Sequence, residues 1–392
     1  MPLKRILILT FYYPPDLCAG SFRAAAFVKS LQKMADEDLE IEVLTTPPNR
    51  YHSFNPEAEK FEQIKNVTIR RYEIKSHKSG FLDQSLSFAM YARQVLSHAR
   101  GKKYDLVFAT SSRLMTAVLG ALIAKRKQTP LYLDIRDIFT DTMSNVLSRP
   151  LKIAILPFFR LLERYTLRSA TAINLVSQGF ADYFSSYGGK SPLRFFTNGI
   201  DSEFLEYDFQ SPPAPRDRKV ILVAGNIGEG QGLEKLIPQA ADLLSEHYEF
   251  VVIGDGGAKS KLVEECRSKG NVKLVAPVSR EELKKYYASA DILLMHLNDH
   301  EAFKKVLPSK IFEYAATGKP ILAGVSGFAA EFTEQYVENA AVFRPCDAQS
   351  MVNSLKSLDF AACNRSEFKE RFSRTNIMDN MACDVLSFLT AR

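Results

Sequence analysis

The amino-acid sequence predicts an α/β protein with two Rossmann-like domains that face each other across a cleft. Three observations lead to this prediction. The chain has 392 residues, which is too long for one ordinary hydrophobic core. Short apolar runs recur throughout, and each is followed by a turn and a longer stretch with helical spacing, as in parallel βαβ units. The pattern stops once, at a proline-rich segment near the middle, and then begins again.

The apolar runs predict the strands of two sheets. In the first half they are Arg5–Thr10, Ile41–Thr45, Val67–Ile74, Leu106–Thr110, Leu131–Asp134, Ala172–Ser177 and Leu193–Asn198. In the second half they are Val220–Ala224, Phe250–Gly254, Val272–Val278, Ile292–Leu297, Ile321–Gly324 and Ala341–Arg344. Both sets are almost continuously hydrophobic, which is typical of parallel strands whose two faces are covered by helices.

The proline-rich segment, residues 208–218, is predicted to be a linker between an N-terminal domain, residues 1–207, and a C-terminal domain, residues 219–374. Directly after it, Lys219–Gly225 forms a strand that enters a glycine turn, as the chain also does near its start. Open parallel sheets bind ligands at the carboxyl ends of their strands. Two such domains are therefore expected to hold a donor and an acceptor.

Composition narrows the class of protein further. The chain is 46% hydrophobic and 24% charged, as packed globular proteins are. Its net charge of +6 suits anionic small molecules or an anionic membrane surface, and the basic residues are not gathered into the stripe that a nucleic-acid partner needs. The five cysteines include no Cys-x-x-Cys pair, which favours a reducing cytoplasm over a disulfide framework or a zinc site.

No membrane-spanning segment is predicted. The apolar part of the N-terminus is too short for a signal peptide. The longest uncharged apolar stretch, from Leu114 to Ala124, is about half as long as a transmembrane helix.

The segment from Val306 to Leu322 is the richest in signals. It predicts a helix that begins at Pro308 and Ser309, ends at Gly318 and is followed by a strand. Free amides at a helix start attract anions, so this helix could hold a diphosphate, with Lys310 adding charge and Glu313 accepting hydrogen bonds from ribose hydroxyls. The alternative is a capped surface helix with both side chains solvated.

The pattern Pro-Ser-Lys-x-Phe-Glu-Tyr-x-Ala-x-Gly-Lys-Pro-Ile in this segment closely resembles the donor site of bacterial glycosyltransferase family 4 enzymes. Other segments match the family in order along nearly the whole chain. They are Tyr12–Gly20 with Arg23, Asn198–Asp201, Gly225–Gly232, Gly254–Gly256 and Ala290–Asp291.

This resemblance implies a GT-B fold and a retaining, metal-independent transfer, with no cofactor, from a nucleoside diphosphate sugar, usually a UDP-sugar. The acceptor it implies is a glycan or a polyprenyl-diphosphate-linked glycan in the synthesis of lipopolysaccharide, capsule or other surface polysaccharides. The C-terminal domain would bind the donor and the N-terminal domain the acceptor. It also implies that residues 375–392 form a helix that packs back on the N-terminal domain.

The chain departs from the common family pattern in two places. In the loop Gly225–Gly232, which includes Gly228, the two basic phosphate-binding positions hold Asn226 and Gln231. The first glutamate of the family's Glu-x7-Glu pattern is replaced by Lys305. We expect Lys310, with Lys305, to supply the missing positive charge, and Glu301 is a candidate for the missing sugar-contacting carboxylate.

Two further turns carry candidate site residues. In the first, Gly20 would allow a ligand to approach the backbone, and Arg23 is a candidate anion contact, with a solvated Arg23 as the alternative. In the second, Asp134-Ile-Arg-Asp137 closes a strand where family members often carry a histidine. Asp137 is assigned to acceptor or transition-state contact and Arg136 to its support, and a salt bridge within the motif is the alternative.

Histidines do not indicate a metal site. His296 and His300 are four residues apart, but they lie on a predicted strand and the loop after it. His296 is instead interpreted as a wall of the donor pocket or as a satisfied core residue.

The segment Arg149–Arg168 combines large apolar residues with five basic residues and one acid. It could lie on the inner face of the cytoplasmic membrane as a basic amphipathic helix. The alternative is a core helix whose basic residues are solvated.

Two other functions remain open at this point. One is a nucleotide-sugar 2-epimerase of the same fold, whose acid-base residues the sequence does not place. The other is a non-catalytic nucleotide-sugar-binding protein, which Asn226, Gln231 and Lys305 make plausible.

Overall fold

A computed structural model describes residues 3–35, 38–49, 57–74, 81–111, 114–141, 149–187, 189–209 and 216–390. The chain forms two compact units. The first contains residues 1–198 and 375–392, and the second contains residues 199–374. The chain therefore passes from one unit to the other twice.

The first unit contains an eight-stranded sheet with the order β3-β4-β2-β1-β5-β6-β7-β8. Its strands are β1 (Lys4–Leu9), β2 (Leu39–Thr45), β3 (Phe61–Ile64), β4 (Val67–Arg71), β5 (Leu106–Thr110), β6 (Leu131–Ile135), β7 (Ala172–Leu175) and β8 (Leu193–Arg194). All neighbours pair in parallel except β3, which is antiparallel to β4.

Helices cover this sheet. They are α1 (Ala19–Met34), α2 (Phe81–Ala99), α3 (Leu114–Lys127), α4 (Arg149–Ser169), α5 (Ala181–Ser185) and, from the end of the described chain, α14 (Arg374–Thr390). Helices α1 and α14 share one hydrophobic core with the central strands, to which α14 contributes Met378, Met381 and Val385. A separate cluster joins α3 to α4 through Leu114, Val118 and Phe159.

The seven strands predicted in the first half are all present, but the sequence did not reveal β3. Three of the four residues of this strand are exposed, and the strand lies at the edge of the sheet. A short edge strand buries too little to show the apolar run by which central strands are recognised.

The second unit contains a six-stranded, fully parallel sheet with the order β11-β10-β9-β12-β13-β14. Its strands are β9 (Lys219–Asn226), β10 (Tyr248–Asp255), β11 (Val272–Val275), β12 (Ile292–His296), β13 (Ile321–Gly324) and β14 (Ala340–Phe343). All six match predicted runs. This is the doubly wound order, in which successive strands are added first on one side of β9 and then, from β12 onward, on its other side. The predicted α/β, Rossmann-like class is confirmed.

The helices of the second unit are α6 (Ser202–Leu205), α7 (Leu233–Leu243), α8 (Lys259–Glu265), α9 (Arg280–Ser289), α10 (Lys310–Ala316), α11 (Phe328–Tyr336), α12 (Ala348–Leu355) and α13 (Ser366–Arg371). A 3-10 helix, Glu301–Lys305, precedes α10. The core under the sheet includes Leu236, Phe250, Leu294 and Met351.

The boundary between the units lies earlier than the sequence predicts. Residues 199–207, expected in the N-terminal domain, belong to the second unit. Ile200 pairs with Ser373 in a parallel bridge, and its N–H donates to the carbonyl of Phe372 over 2.7 Å. Phe204 is buried, and the centre of its ring lies 5.9 Å from that of Tyr287. Residues 210–215 of the predicted linker lie outside the described residues.

Among the helices that the structure describes, none has both the length and the apolar character needed to cross a bilayer.

Candidate functional site

The first part of the candidate site lies in the second unit, at the carboxyl ends of β9 and β12, where open α/β sheets bind ligands. Strand β9 ends in Gly225 and Asn226, and β10 ends beside it. The two backbones approach so closely that a Cβ on Gly254, whose φ is +151°, would lie 1.8 Å from the carbonyl oxygen of Gly225. Only glycine fits there.

The loop after β9 is closed by its own side chains. The amide of Asn226 donates to Oε1 of Gln231 over 2.8 Å, and the backbone N–H of Gly228 donates to the same oxygen over 3.2 Å. A side chain on Gly228 would collide with Asn226 Nδ2 at 2.5 Å. The two residues that replace the basic pair of the family pattern therefore bind each other and shape the loop.

Asn298, two residues after the end of β12, supports this loop, which sequence reasoning did not anticipate. It is 5% exposed. Its side chain donates to the carbonyl of Glu229 over 2.8 Å and accepts from Lys235 Nζ over 2.9 Å. Its backbone N–H donates to the carbonyl of Gly230. No sequence motif marked this residue, because an asparagine after a strand usually indicates only a turn.

His296, at the end of β12, is a satisfied core residue, the second of its two predicted interpretations. Its Nδ1–H donates to the carbonyl of Gln231, and Nε2 accepts the N–H of Cys346 over 2.8 Å. Burial lowers the pKa of His296 to about 4, although the carbonyl of Gln231 opposes this shift. The ring is therefore neutral with its proton on Nδ1, and it ties the loop to the segment after β14.

Lys310 and Glu313 form an ion pair in the first turn of α10, with 2.7 Å between Nζ and Oε2. The hydroxyl of the buried Tyr287 donates to Glu313 Oε2 and accepts from Lys310 Nζ, each over 3.1 Å. The Lys310 side chain lies against the end of β9, because a Cβ on Gly225 would be 3.4 Å from Lys310 Cε. The structure therefore brings Lys310 next to the glycine loop.

Further charges surround Glu313 within the second unit. Burial raises the pKa of Glu313, but Lys310 and Arg280 outweigh burial and hold the pKa below its ordinary value. Arg280 is itself bound to Asp201 over 2.8 Å, and Asp201 also binds Arg374 over 2.9 Å. Glu313 is thus an ionised carboxylate whose side chain is 11% exposed. Sequence reasoning identified Glu313 but missed Tyr287 and Arg280, which lie on another helix.

The other predicted residues of the second unit lie near the start of α10. Ser309 is its N-cap residue, but the side chain makes no capping hydrogen bond. Lys305 ends the preceding 3-10 helix and is half-buried. Glu301 begins that helix, and its 84% exposed side chain pairs with Lys304.

In the first unit the structure corrects the prediction for Arg23. Its side chain is neither solvated nor available to an anion, because the residue is 1% exposed. It forms a bidentate salt bridge with Asp134, with both N–O distances 2.9 Å, and donates to the carbonyls of Phe196 and Thr197. The salt-bridge partner of Asp134 is therefore Arg23 on α1, and not Arg136 of its own motif. Gly20 lies in the first turn of α1.

Arg136 and Asp137 follow β6 at the carboxyl edge of the first sheet. Asp137 is exposed. The Arg136 guanidinium reaches Asn198 Oδ1 over 3.4 Å, while its Nη1 is buried without a hydrogen-bond partner. Burial and the positive charge of Arg23 lower the pKa of Arg136, against the opposing effect of Asp134 and Asp137. The Arg136 guanidinium therefore keeps a donor group at this edge that has no hydrogen-bond partner among the described residues.

The sequence contains one Asp-x-Asp string, Asp36-Glu37-Asp38, of which the first two residues lie outside the described residues. Asp38 directly precedes β2 and therefore lies at the amino edge of the sheet, opposite the edge at which open α/β sheets bind ligands. Within the described parts of the chain, no group of three or more His, Cys, Asp or Glu side chains is placed to hold a metal ion.

Comparison with known protein families gives two matches that together cover most of the chain. Residues 206–372 match the family described as Glycosyl transferases group 1, and residues 24–199 match the Glycosyl transferase 4-like domain. A putative colanic acid biosynthesis glycosyl transferase, WcaI of Escherichia coli K12, is 26% identical over 171 residues. That match covers 43% of this chain and 42% of the relative, so it spans less than half of the relative's length.

Solved structures share the fold over nearly the whole chain. Sucrose-phosphate synthase from Thermosynechococcus elongatus has a TM-score of 0.73 at 13% identity and covers 99% of this chain and 100% of its own. Anabaena Alr3699/HepE in complex with UDP-glucose has a TM-score of 0.68 at 17% identity, covering 98% and 99%. WaaG, a glycosyltransferase involved in lipopolysaccharide biosynthesis, has a TM-score of 0.63 at 14% identity, covering 98% and 97%. At these identities the likeness concerns the fold alone.

Proposed function

The chain belongs to the glycosyltransferase group 1 family and has its GT-B fold, and on this basis we propose that it transfers a sugar from a nucleoside diphosphate donor to a glycan. The proposed transfer retains the anomeric configuration and needs no metal. The proposed donor is a UDP-sugar, and the proposed acceptor is a polyprenyl-diphosphate-linked glycan of a surface polysaccharide. The similarity to WcaI, whose name refers to colanic acid biosynthesis, supports this acceptor class.

The observation that carries the proposal is the position of the Lys310–Glu313 pair beside the glycine loop. Donor phosphates held by the loop amides of residues 225–232 would lie next to the Lys310 ammonium. Glu313 is ionised and its side chain is largely buried, so its carboxylate can accept hydrogen bonds from ribose hydroxyls. The loop itself provides no positive charge, because the two positions that are basic in the family pattern hold the neutral Asn226 and Gln231, which bind each other. Lys310 is therefore the proposed stabiliser of the leaving diphosphate.

On the acceptor side, we assign Asp137 to contact with the acceptor or the transition state. Arg136 supports this role, because its Nη1, which has no hydrogen-bond partner among the described residues, can donate to an anionic acceptor such as a lipid diphosphate. Glu301 is the proposed sugar-contacting carboxylate. To bind the sugar, its carboxylate would have to break its ion pair with Lys304. Lys305, Ser309 and Gly20 remain proposed substrate contacts.

The decisive experiment incubates the protein with UDP-, GDP- and ADP-sugars and a polyprenyl-diphosphate-linked acceptor. We expect nucleotide release and a lengthened glycan with one UDP-sugar, and NMR of the product should show the anomeric configuration of the donor. Addition of EDTA should leave the rate unchanged. Loss of activity that Mn²⁺ or Mg²⁺ restores would contradict a metal-independent transfer.

The same experiment separates the alternatives. A changed sugar without a lengthened glycan would indicate the 2-epimerase. Nucleotide-sugar binding without any turnover would indicate a non-catalytic binding protein.

A further inference from the structure

The outer face of α4 exposes large apolar side chains. Ile153 is 80% exposed, Phe158 is 58% exposed and Leu161 is 64% exposed. The inner face is packed, since Phe159 joins the cluster with α3. Packing within the protein therefore explains the apolar residues on only one face of this helix. Exposed apolar groups of this size are typical of interaction surfaces.

Positive charge accompanies these apolar residues. Arg160, Arg164 and Arg168 are exposed and follow one another at intervals of four, so they share one face of α4. Ile153 and Leu161 lie on that same face by helical spacing. The apolar residues lie toward the beginning of α4, and the arginines continue to its end.

A second basic feature lies on the neighbouring helices. A groove of about 990 Å³ between α2 and α3 is lined by Arg93, Arg100, Arg126 and Lys127 over a floor of small and aliphatic residues, and no acidic residue lines it. Helix α3 contacts both α2 and α4. Helix α3 thus lies between the other two, and we call the exposed basic and apolar side chains of the three helices the α2–α4 surface. Asp141 is an acidic residue that lies beside Arg160 and Arg164.

We propose that the α2–α4 surface docks on an anionic lipid bilayer, with the apolar residues of α4 in the headgroup region and the basic residues on lipid phosphates. The combination of exposed apolar residues and exposed arginines matches an interfacial helix. Clusters of four to eight basic residues are typical of binding to anionic lipids. A protein partner would account for the exposed apolar residues of α4. It would not account for the basic groove, which no acidic residue lines. The inference rests on the proposed function, because it explains how the enzyme reaches an acceptor that is linked to a membrane lipid.

The inner face of α4 connects this surface to the acceptor side. Glu163 is 3% exposed and accepts hydrogen bonds from the hydroxyls of Thr140 over 2.9 Å and Tyr183 over 2.7 Å. Thr140 follows Asp137 by three residues. A bilayer that holds α4 would thereby fix the distance between the membrane and the segment that carries Asp137.

The test is flotation of the full chain with vesicles. Wild type should float with vesicles of phosphatidylcholine containing about 30% phosphatidylglycerol, and it should bind vesicles of phosphatidylcholine alone at least tenfold more weakly. Ile153→Ser with Leu161→Ser, and separately Arg160→Glu with Arg164→Glu, should each reduce binding to the anionic vesicles at least tenfold. The matched controls Leu243→Ser and Arg267→Glu, on exposed residues of the second unit, should bind as wild type does.

Equal binding of wild type and both double variants would overturn the inference. So would a change of oligomeric state in size-exclusion chromatography without any change in vesicle binding, since the surface would then join two copies of the chain. The proposed function is tested separately with a short, water-soluble acceptor analogue, on which the double variants should keep wild-type rates. Vesicle binding without transfer from any donor would sink the proposed function and leave the docking surface standing.

Discussion

Glu313 illustrates at the residue scale how a buried carboxylate can stay ionised and serve a ligand. We predict that Glu313→Gln weakens UDP binding about 5- to 100-fold, because a neutral amide is a poorer acceptor for ribose hydroxyls and leaves Lys310 without its counter-ion. Isothermal titration calorimetry measures the affinity, and Glu331→Gln, on an exposed residue of α11, is the matched control. Unchanged affinities for UDP, GDP and ADP would remove Glu313 from the site.

Lys310 should act on the rate more than on binding. Negative charge grows on the leaving diphosphate as the glycosidic bond breaks, so a nearby cation stabilises the transition state more than the ground state. We expect Lys310→Ala to lower kcat by about 10²- to 10³-fold with little change in the donor KM. The control is Lys261→Ala, on an exposed lysine of α8. A variant with wild-type kcat would show that backbone amides or Lys305 stabilise the leaving group.

The Arg23–Asp134 pair belongs to the stability of the first unit. Arg23→Met should lower the free energy of unfolding by about 3–5 kcal/mol, because it leaves the carboxylate of Asp134 buried without its cation. Adding Asp134→Asn should recover part of this loss. The control is the pair of Lys33, whose side chain is 65% exposed, and Asp379, whose side chain is 19% exposed; here Lys33→Met should cost less than about 1 kcal/mol. Denaturant unfolding followed by circular dichroism measures all four proteins, and equal losses for both pairs would contradict the assignment.

The sequence could predict these residues but not their partners. Arg23, shortly after the first glycine turn, and Asp134, at the end of a strand, are each visible as part of a motif. The contact between them is not visible, because it joins residues 111 positions apart. Side chains such as Tyr287 and Asn298 carry no pattern, since their importance depends on which loops the fold places beside them.

At the scale of elements, His296 connects β12 to the glycine loop and to the segment after β14, and this connection should depend on pH. In the unfolded chain a histidine takes up its proton near the ordinary pKa of 6.5, but the buried ring of His296 does so only near pH 4. The folded state is therefore favoured above pH 6.5 and loses stability as the pH falls from 6.5 toward 4. The total loss is about 3 kcal/mol.

The comparison of wild type with His296→Asn tests this connection. The variant should be less stable at pH 8, because asparagine cannot replace both hydrogen bonds. Its stability should decline less between pH 7 and pH 5, so that the two curves approach each other. Parallel curves in denaturant unfolding would show that His296 does not titrate in this range.

The elements themselves were the most predictable part of the protein. Buried parallel strands are continuous apolar runs, and thirteen of the strands were visible for this reason. The start of the second unit was missed, because residues 199–207 carry no apolar periodicity and are held by hydrogen bonds to a segment more than 160 residues away.

At the scale of the whole molecule, the first unit depends on both ends of the described chain. Removal of residues 375–392 would uncover the core that α14 completes, and we expect the truncated protein to be insoluble or to lose the cooperative unfolding of the first unit. Met381→Asp should act in the same direction, whereas Met381→Leu should cost less than about 1.5 kcal/mol. Differential scanning calorimetry makes the comparison, and a soluble truncated chain with unchanged transitions would contradict this account.

The double passage of the chain between the two units also has a consequence for protein synthesis. Residues 199–374 form one continuous segment, whereas the first unit must wait for residues 375–392, which emerge from the ribosome only afterwards. Domains of nascent chains usually fold in order from the N-terminus. In this protein the second unit can be complete while the first is still open, so the apolar residues that α14 covers stay exposed until the last helix is made.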